Sequence, residues 1–116
     1  MKAEKVRLIE TVKIETVTSD FIEFSNGDRI LYDHDQDCCE DNFADFEQIE
    51  PRALNDEFTL PLDFEVINEK GFRFGNQPYA MYFIPCYSDQ NGYYTTDIDI
   101  YYSKKILSFM CEERLD

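Results

Sequence analysis

The sequence predicts a mainly β (or α+β) domain, an antiparallel sheet curled or packed on itself, with at most one short helix near Asn42–Ile49. Three observations carry that prediction. Short runs rich in β-branched and aromatic residues recur along the chain, Asn26-Gly27 separates two of them, and Gly- or Asn-containing turn marks punctuate the rest.

The first run alternates. Val6, Leu8, Val12, Ile14, Thr16 and Thr18 share one parity, interrupted by Glu10 and by Ile9 on the other face, which fits one bent strand or two short ones. Next, Phe21–Ser25 and Asp28–Tyr32 flank Asn26-Gly27, a pair suited to the two positive φ angles of a type I′ hairpin turn. A two-residue turn sets Ile22 opposite Leu31 and Phe21 opposite Tyr32. With apolar residues on both faces, this hairpin is expected well inside the fold.

Phe43, Phe46 and Ile49 recur every three residues, which suits one stripe of a short helix capped by Asn42 and stopped before Pro51. Residues 52–63 read as an irregular connection. Strand signals then return at Phe64–Ile67, Phe72–Phe74, Tyr79–Ile84, Tyr93–Tyr102 and Ile106–Cys111, with turns at Gly71, Gly75-Asn76 and Asn91-Gly92. Alternation from Asp97 to Tyr102 puts Ile98, Ile100 and Tyr102 on one face. Without a Gly-rich βαβ unit, a nucleotide-binding parallel sheet is not expected.

Bulk properties narrow the class. With 116 residues, 43% hydrophobic and 16% aromatic, the chain suits one globular domain spanning 1–116 with a real core. The charged N-terminal segment carries no signal-peptide run, and no apolar stretch reaches membrane-spanning length, so the expected site is the cytoplasm. The four cysteines, at 38, 39, 86 and 111, are accordingly expected as free thiols.

Charge departs furthest from average. The net charge is −14, and between Asp33 and Glu65 twelve acids stand against one base, Arg52. A field of that sign disfavours nucleic acid and anionic membranes as direct partners and favours a basic protein.

Two polar segments could carry chemistry. Asp33-His34-Asp35-Gln36-Asp37-Cys38-Cys39-Glu40 holds the only histidine and half the cysteines, which are metal-binding side-chain types. Its spacing lacks C-x-x-C and a second histidine, and the alternating set His34 with Cys38, or Asp35, Asp37 and Cys39, is the better ligand arrangement. His34, Asp37, Cys38, Cys39 and Glu40 also supply the types of a thiol–imidazole pair, but the acidic surroundings oppose a thiolate. A buried cysteine beside a hydrogen-bonded loop is the plainer reading. The second segment offers Tyr87, Gln90, Asn91, Tyr93 and Tyr94 as a contact surface, or as residues that cover a sheet and anchor a turn.

At these two stretches the chain resembles a family. The block His34-x-Gln36-Asp37-Cys38-Cys39-Glu40 after an Asn-Gly hairpin, and Gln90-Asn91-Gly92-Tyr93-Tyr94 opening a later strand, are similar to those of an uncharacterised family of small bacterial (Bacteroides-type) and phage proteins. The resemblance implies a cytoplasmic single domain with a phage or mobile-element connection, and carries no assigned activity, cofactor or catalytic residue onto these positions. The expected function is a non-enzymatic binding or regulatory protein whose acidic surface takes a basic partner, including phage-type DNA mimicry. The alternative is a metal- or thiol-dependent site around His34, Cys38 and Cys39. An enzyme ranks last, because no nucleophile–base motif is recognisable.

Overall fold

The computed structural model describes residues 10–33, 41–78, 80–90 and 96–115. These form a mainly β fold of two sheets. Strands β1 (Thr11–Val17), β2 (Phe21–Phe24), β3 (Arg29–Tyr32), β5 (Glu57–Thr59), β9 (Asp97–Tyr102) and β10 (Lys105–Met110) make the first, in the order β10-β9-β3-β2-β1-β5. The second runs β11-β8-β7-β6, from β6 (Asp63–Ile67), β7 (Gly71–Asn76), β8 (Ala80–Gln90) and β11 (Glu112–Leu115), with β4 (Asp41–Ala44) also on β8. Neighbours pair antiparallel except β11 with β8, which is parallel.

The interruption of alternation at Ile9 and Glu10 lies before β1, with Ile9 outside the described residues, and the irregularity within the strand falls instead where the alternation is unbroken. Val12 and Ile14 point into the core, and a bulge between Ile14 and Thr16 shifts the pairing with β2, so that Val17 also packs against the core. The β2–β3 hairpin forms with a different turn. Phe24 N–H donates to Asp28 O at 2.8 Å and Gly27 N–H to Phe24 O at 2.9 Å, while only Gly27 takes positive φ, at 91°. This is a three-residue loop with a glycine bulge, held by Asp28 N–H on the Asn26 side chain at 3.0 Å. The register therefore moves by one residue, setting Ile22 opposite Ile30 and Phe21 opposite Leu31. The slip sorts the faces: Ile22, Phe24 and Ile30 are fully buried and Leu31 is exposed, so only one face of the hairpin lies inside.

The helix expected over Asn42–Ile49 is replaced by β4 and a 3-10 turn at Phe46–Gln48, and a second 3-10 turn spans Pro51–Asn55. Asn42 is a strand residue, not a cap. The stripe Phe43, Phe46, Ile49 splits because β4 pairs with β8 from Asp41↔Asp89 to Ala44↔Cys86, while Phe46 and Ile49 turn into the core. The connection read as irregular over 52–63 contains β5.

β8 is longer than its sequence signal because it continues through Pro85. As far as Pro85 it pairs with β7. Cys86 N–H then donates to Lys70 O at 3.0 Å, and the Pro85 carbonyl accepts Asp45 N–H at 2.9 Å. Proline, which donates nothing to a ladder, sits where the pairing with β7 ends and that with β4 begins. Gly71 lies opposite it at φ 154°, where a Cβ would come 2.1 Å from Ile84 O.

The sheets meet through aromatic rings. Phe24 of β2 sits 6.0 Å from Phe58 of β5, 6.0 Å from Phe74 of β7 and 6.1 Å from Tyr102 of β9, edge-on in each case. Three asparagine side chains clip the layers together. Asn42 donates to Asp97 O at 3.0 Å, Asn76 exchanges two 2.8 Å bonds with the Thr59 backbone, and Asn68 accepts Met110 N–H at 3.1 Å. No helix of the described residues is long and apolar enough to cross a membrane.

Removing the central ring should be among the most damaging substitutions in the core. Phe24→Ala is expected to cost about 3–5 kcal/mol, read as a lower urea midpoint at unchanged slope. A loss under about 1 kcal/mol would show that Phe24 is not the contact on which the sheets pack.

Candidate functional site

Of the acid-rich interval the structure describes Asp33 and residues 41–65. Beyond β4 its acids are Asp45, Glu47 of the first 3-10 turn, Glu50 and Asp56 on either side of the second, Glu57 of β5, and Asp63 and Glu65 of β6. Some have local work. Asp45 accepts Gln48 Nε2 at 2.6 Å, Asp63 accepts Gln77 N–H at 2.9 Å, and Arg73 Nη2 lies 2.6 Å from Glu65. Asp56 accepts the hydroxyl of Tyr82, a fully buried residue of β8. Arg52, the only base of the interval, is held within it: its guanidinium lies 3.4 Å from Glu50 and 5.4 Å over the Tyr82 ring. Glu47 and Glu57 are exposed, and among the described residues neither forms an ion pair.

Beside Glu47 lies an open groove of about 260 Å³, lined by Val17, Glu47, Ile49, Pro51 and Leu54. Its floor is apolar and its wall carries the unpaired Glu47; Leu54 is 47% exposed. The arrangement suits an aliphatic stem ending in a cation, which is the shape of a lysine or arginine side chain. No sequence pattern signals this groove, since Val17 and Leu54 come from segments far apart in the chain.

Two further hollows are polar. One, of about 310 Å³, lies where β10 passes into β11 and is lined by residues that include Glu69, Lys70, Cys111, Glu112 and Glu113, with Lys70 Nζ 3.6 Å from Glu112. The other, of about 80 Å³, has Asp33, Asp97 and Asp99 at its wall and Asn42 at its base. Asn42 and Ser88 are buried, and their side chains hydrogen-bond to each other, which satisfies two polar groups inside the sheet.

His34, Asp37, Cys38, Cys39 and Glu40 lie outside the described residues, as do Asn91, Tyr93 and Tyr94, and Gln90 is placed only as the last residue of β8. Tyr87 is half-buried on β8. Its ring is 5.8 Å from Phe43 of β4, with the Arg114 guanidinium of β11 4.2 Å above it. Arg114 is aimed by Asp89, which it meets twice, at 2.6 and 2.7 Å. Tyr87 thus packs where three strands meet. Among the described residues no group of three or more His, Cys, Asp or Glu could hold a metal ion.

Cys86 and Cys111 are free and buried. Burial, and then the neighbouring Cys111, pushes the Cys86 thiol up; burial, and then Asp97, pushes that of Cys111 up to about 12. Neither is a nucleophile near neutral pH. The Tyr102 hydroxyl is likewise pushed up to about 12, by burial first and then by Asp28, to which it donates at 3.2 Å. No family model, curated protein or solved structure matches this chain.

These groups set the alkaline behaviour. Each holds its proton more tightly folded than unfolded, so the stability they contribute is complete below the ordinary thiol value of 9.0 and is lost as pH rises towards about 12. The urea midpoint should fall over that window, and Tyr102→Phe should flatten the fall above the ordinary tyrosine value of 10.0. Iodoacetamide should leave Cys86 and Cys111 unmodified in the folded protein and label both in urea, as read by peptide mass mapping. Native-state labelling of Cys86 would contradict its burial.

Proposed function

We propose that this domain is a non-enzymatic binding protein that takes a basic protein partner on the acidic face formed by its 3-10 turns and β5. The observation that carries this reading is the segregation of charge. The interval Asp33–Glu65 holds −11 of the chain's −14. Its one base is occupied by Glu50 and Tyr82, while Glu47 and Glu57 stand exposed with no ion pair among the described residues, Glu47 at the wall of an apolar groove. A face of this kind attracts a cationic partner at long range and offers its aliphatic stems a place to settle. DNA mimicry is the sharper form: carboxylates stand in for phosphates and occupy the site of a DNA-binding protein. The resemblance to small bacterial and phage proteins agrees with that form.

Pull-down from bacterial lysate tests the reading. Basic proteins should be retained at about 50 mM salt and released at about 500 mM, where screening shortens the reach of exposed charge. The triple variant Glu47→Gln, Glu50→Gln, Glu57→Gln should weaken retention about tenfold at low salt, and duplex DNA should compete for the same partner if mimicry holds. Retention of no basic protein at low salt would overturn the proposal.

A further inference from the structure

The first sheet carries an apolar row on its outer face that is partly exposed among the described residues. Phe21 pairs with Leu31, Leu31 with Tyr101, and Tyr101 with Ile106, so four side chains from β2, β3, β9 and β10 stand in one line across the strands. The inner neighbours of this line, Ile22 and Ile30, are fully buried, so the line itself faces outward. Leu31 is 39% exposed and Ile106 59%, although an aliphatic side chain gains nothing from water. At one end Arg29 covers Phe21, with its guanidinium 4.3 Å over the ring and 2.7 Å from Glu23. Alongside the row, one step further on the same face, Asp33 pairs with Asp99 and Asp99 with Ser108. An apolar line therefore runs beside an acidic one.

We infer that the row Phe21–Leu31–Tyr101–Ile106 is a docking surface for a basic amphipathic helix of another protein. This rests on the reading that the partner is basic and adds a second, apolar determinant to it. Charge decides the occupant. A second copy laid sheet to sheet would bring the Asp33–Asp99 lines and two net charges of −14 together, whereas a cationic helix meets both lines with complementary groups. Length agrees. Three inter-strand spacings span about 14 Å, the rise of about nine or ten helical residues. Apolar side chains at i, i+3 or i+4, and i+7 would follow the row while lysines on one flank reach the aspartates.

The test uses the full chain and three labelled peptides of about fifteen residues: a Leu/Lys helix with one apolar face, a scramble of the same composition, and oligolysine of equal charge. Fluorescence anisotropy should show the amphipathic helix binding about tenfold or more tighter than the scramble. The double variant Leu31→Thr, Ile106→Thr changes only exposed positions and keeps strand propensity. It should abolish that preference while leaving the scramble and oligolysine affinities unchanged. If the variant keeps the preference, the row is not the docking surface, although the acidic reading stands. If no peptide binds at low salt, the acidic reading itself falls and takes this inference with it. If the wild type sediments as a dimer and the variant as a monomer, the row is covered by a second copy and the inference is overturned.

Discussion

The position of one ring governs this fold. Phe24 must touch Phe58 and Tyr102 in its own sheet and Phe74 in the other, edge-on to all three. That is possible only if the β2–β3 hairpin turns Phe24 inward. The three-residue loop at Ser25–Gly27 sets Ile30 rather than Leu31 beside it on that inner face, since a two-residue turn pairs the strands in another register. Burying several large rings is the main favourable term in so small a domain, and local turn preference at Asn26-Gly27 is weak beside it.

Given that packing, the sheets still have to be held at their corners. Asn42, Asn68 and Asn76 do so, each joining its side chain to backbone of the facing sheet. Asparagine suits the task because its amide both donates and accepts at short reach. β8 is the other shared member. By running through Pro85 it serves β7 with one stretch and β4 and β11 with the next, and Gly71 lets the backbones approach at the changeover.

This division of labour leaves the exterior free for recognition. The carboxylates of the acid-rich interval lie on short turns and an edge strand, where they are solvated at little cost to the core. The outer face of the first sheet carries the opposite character, an apolar line between charged ones. The described thiols, buried and held protonated, contribute to packing rather than to chemistry.

Much of this was legible in the residues. The mainly β class, the hairpin around Asn26-Gly27, the inward face of Ile98 and Ile100 and the regional charge all follow from period-two patterning, turn residues and counting, which are local properties. The register of that hairpin, the splitting of Phe43, Phe46 and Ile49 between strand and turn, and the passage of β8 through Pro85 do not. Each depends on which strand lies alongside, and pairing partners come from distant parts of the chain. The apolar row shows the same limit most plainly: Phe21, Leu31, Tyr101 and Ile106 are unremarkable one at a time. Only the ladder that aligns four strands makes them a surface.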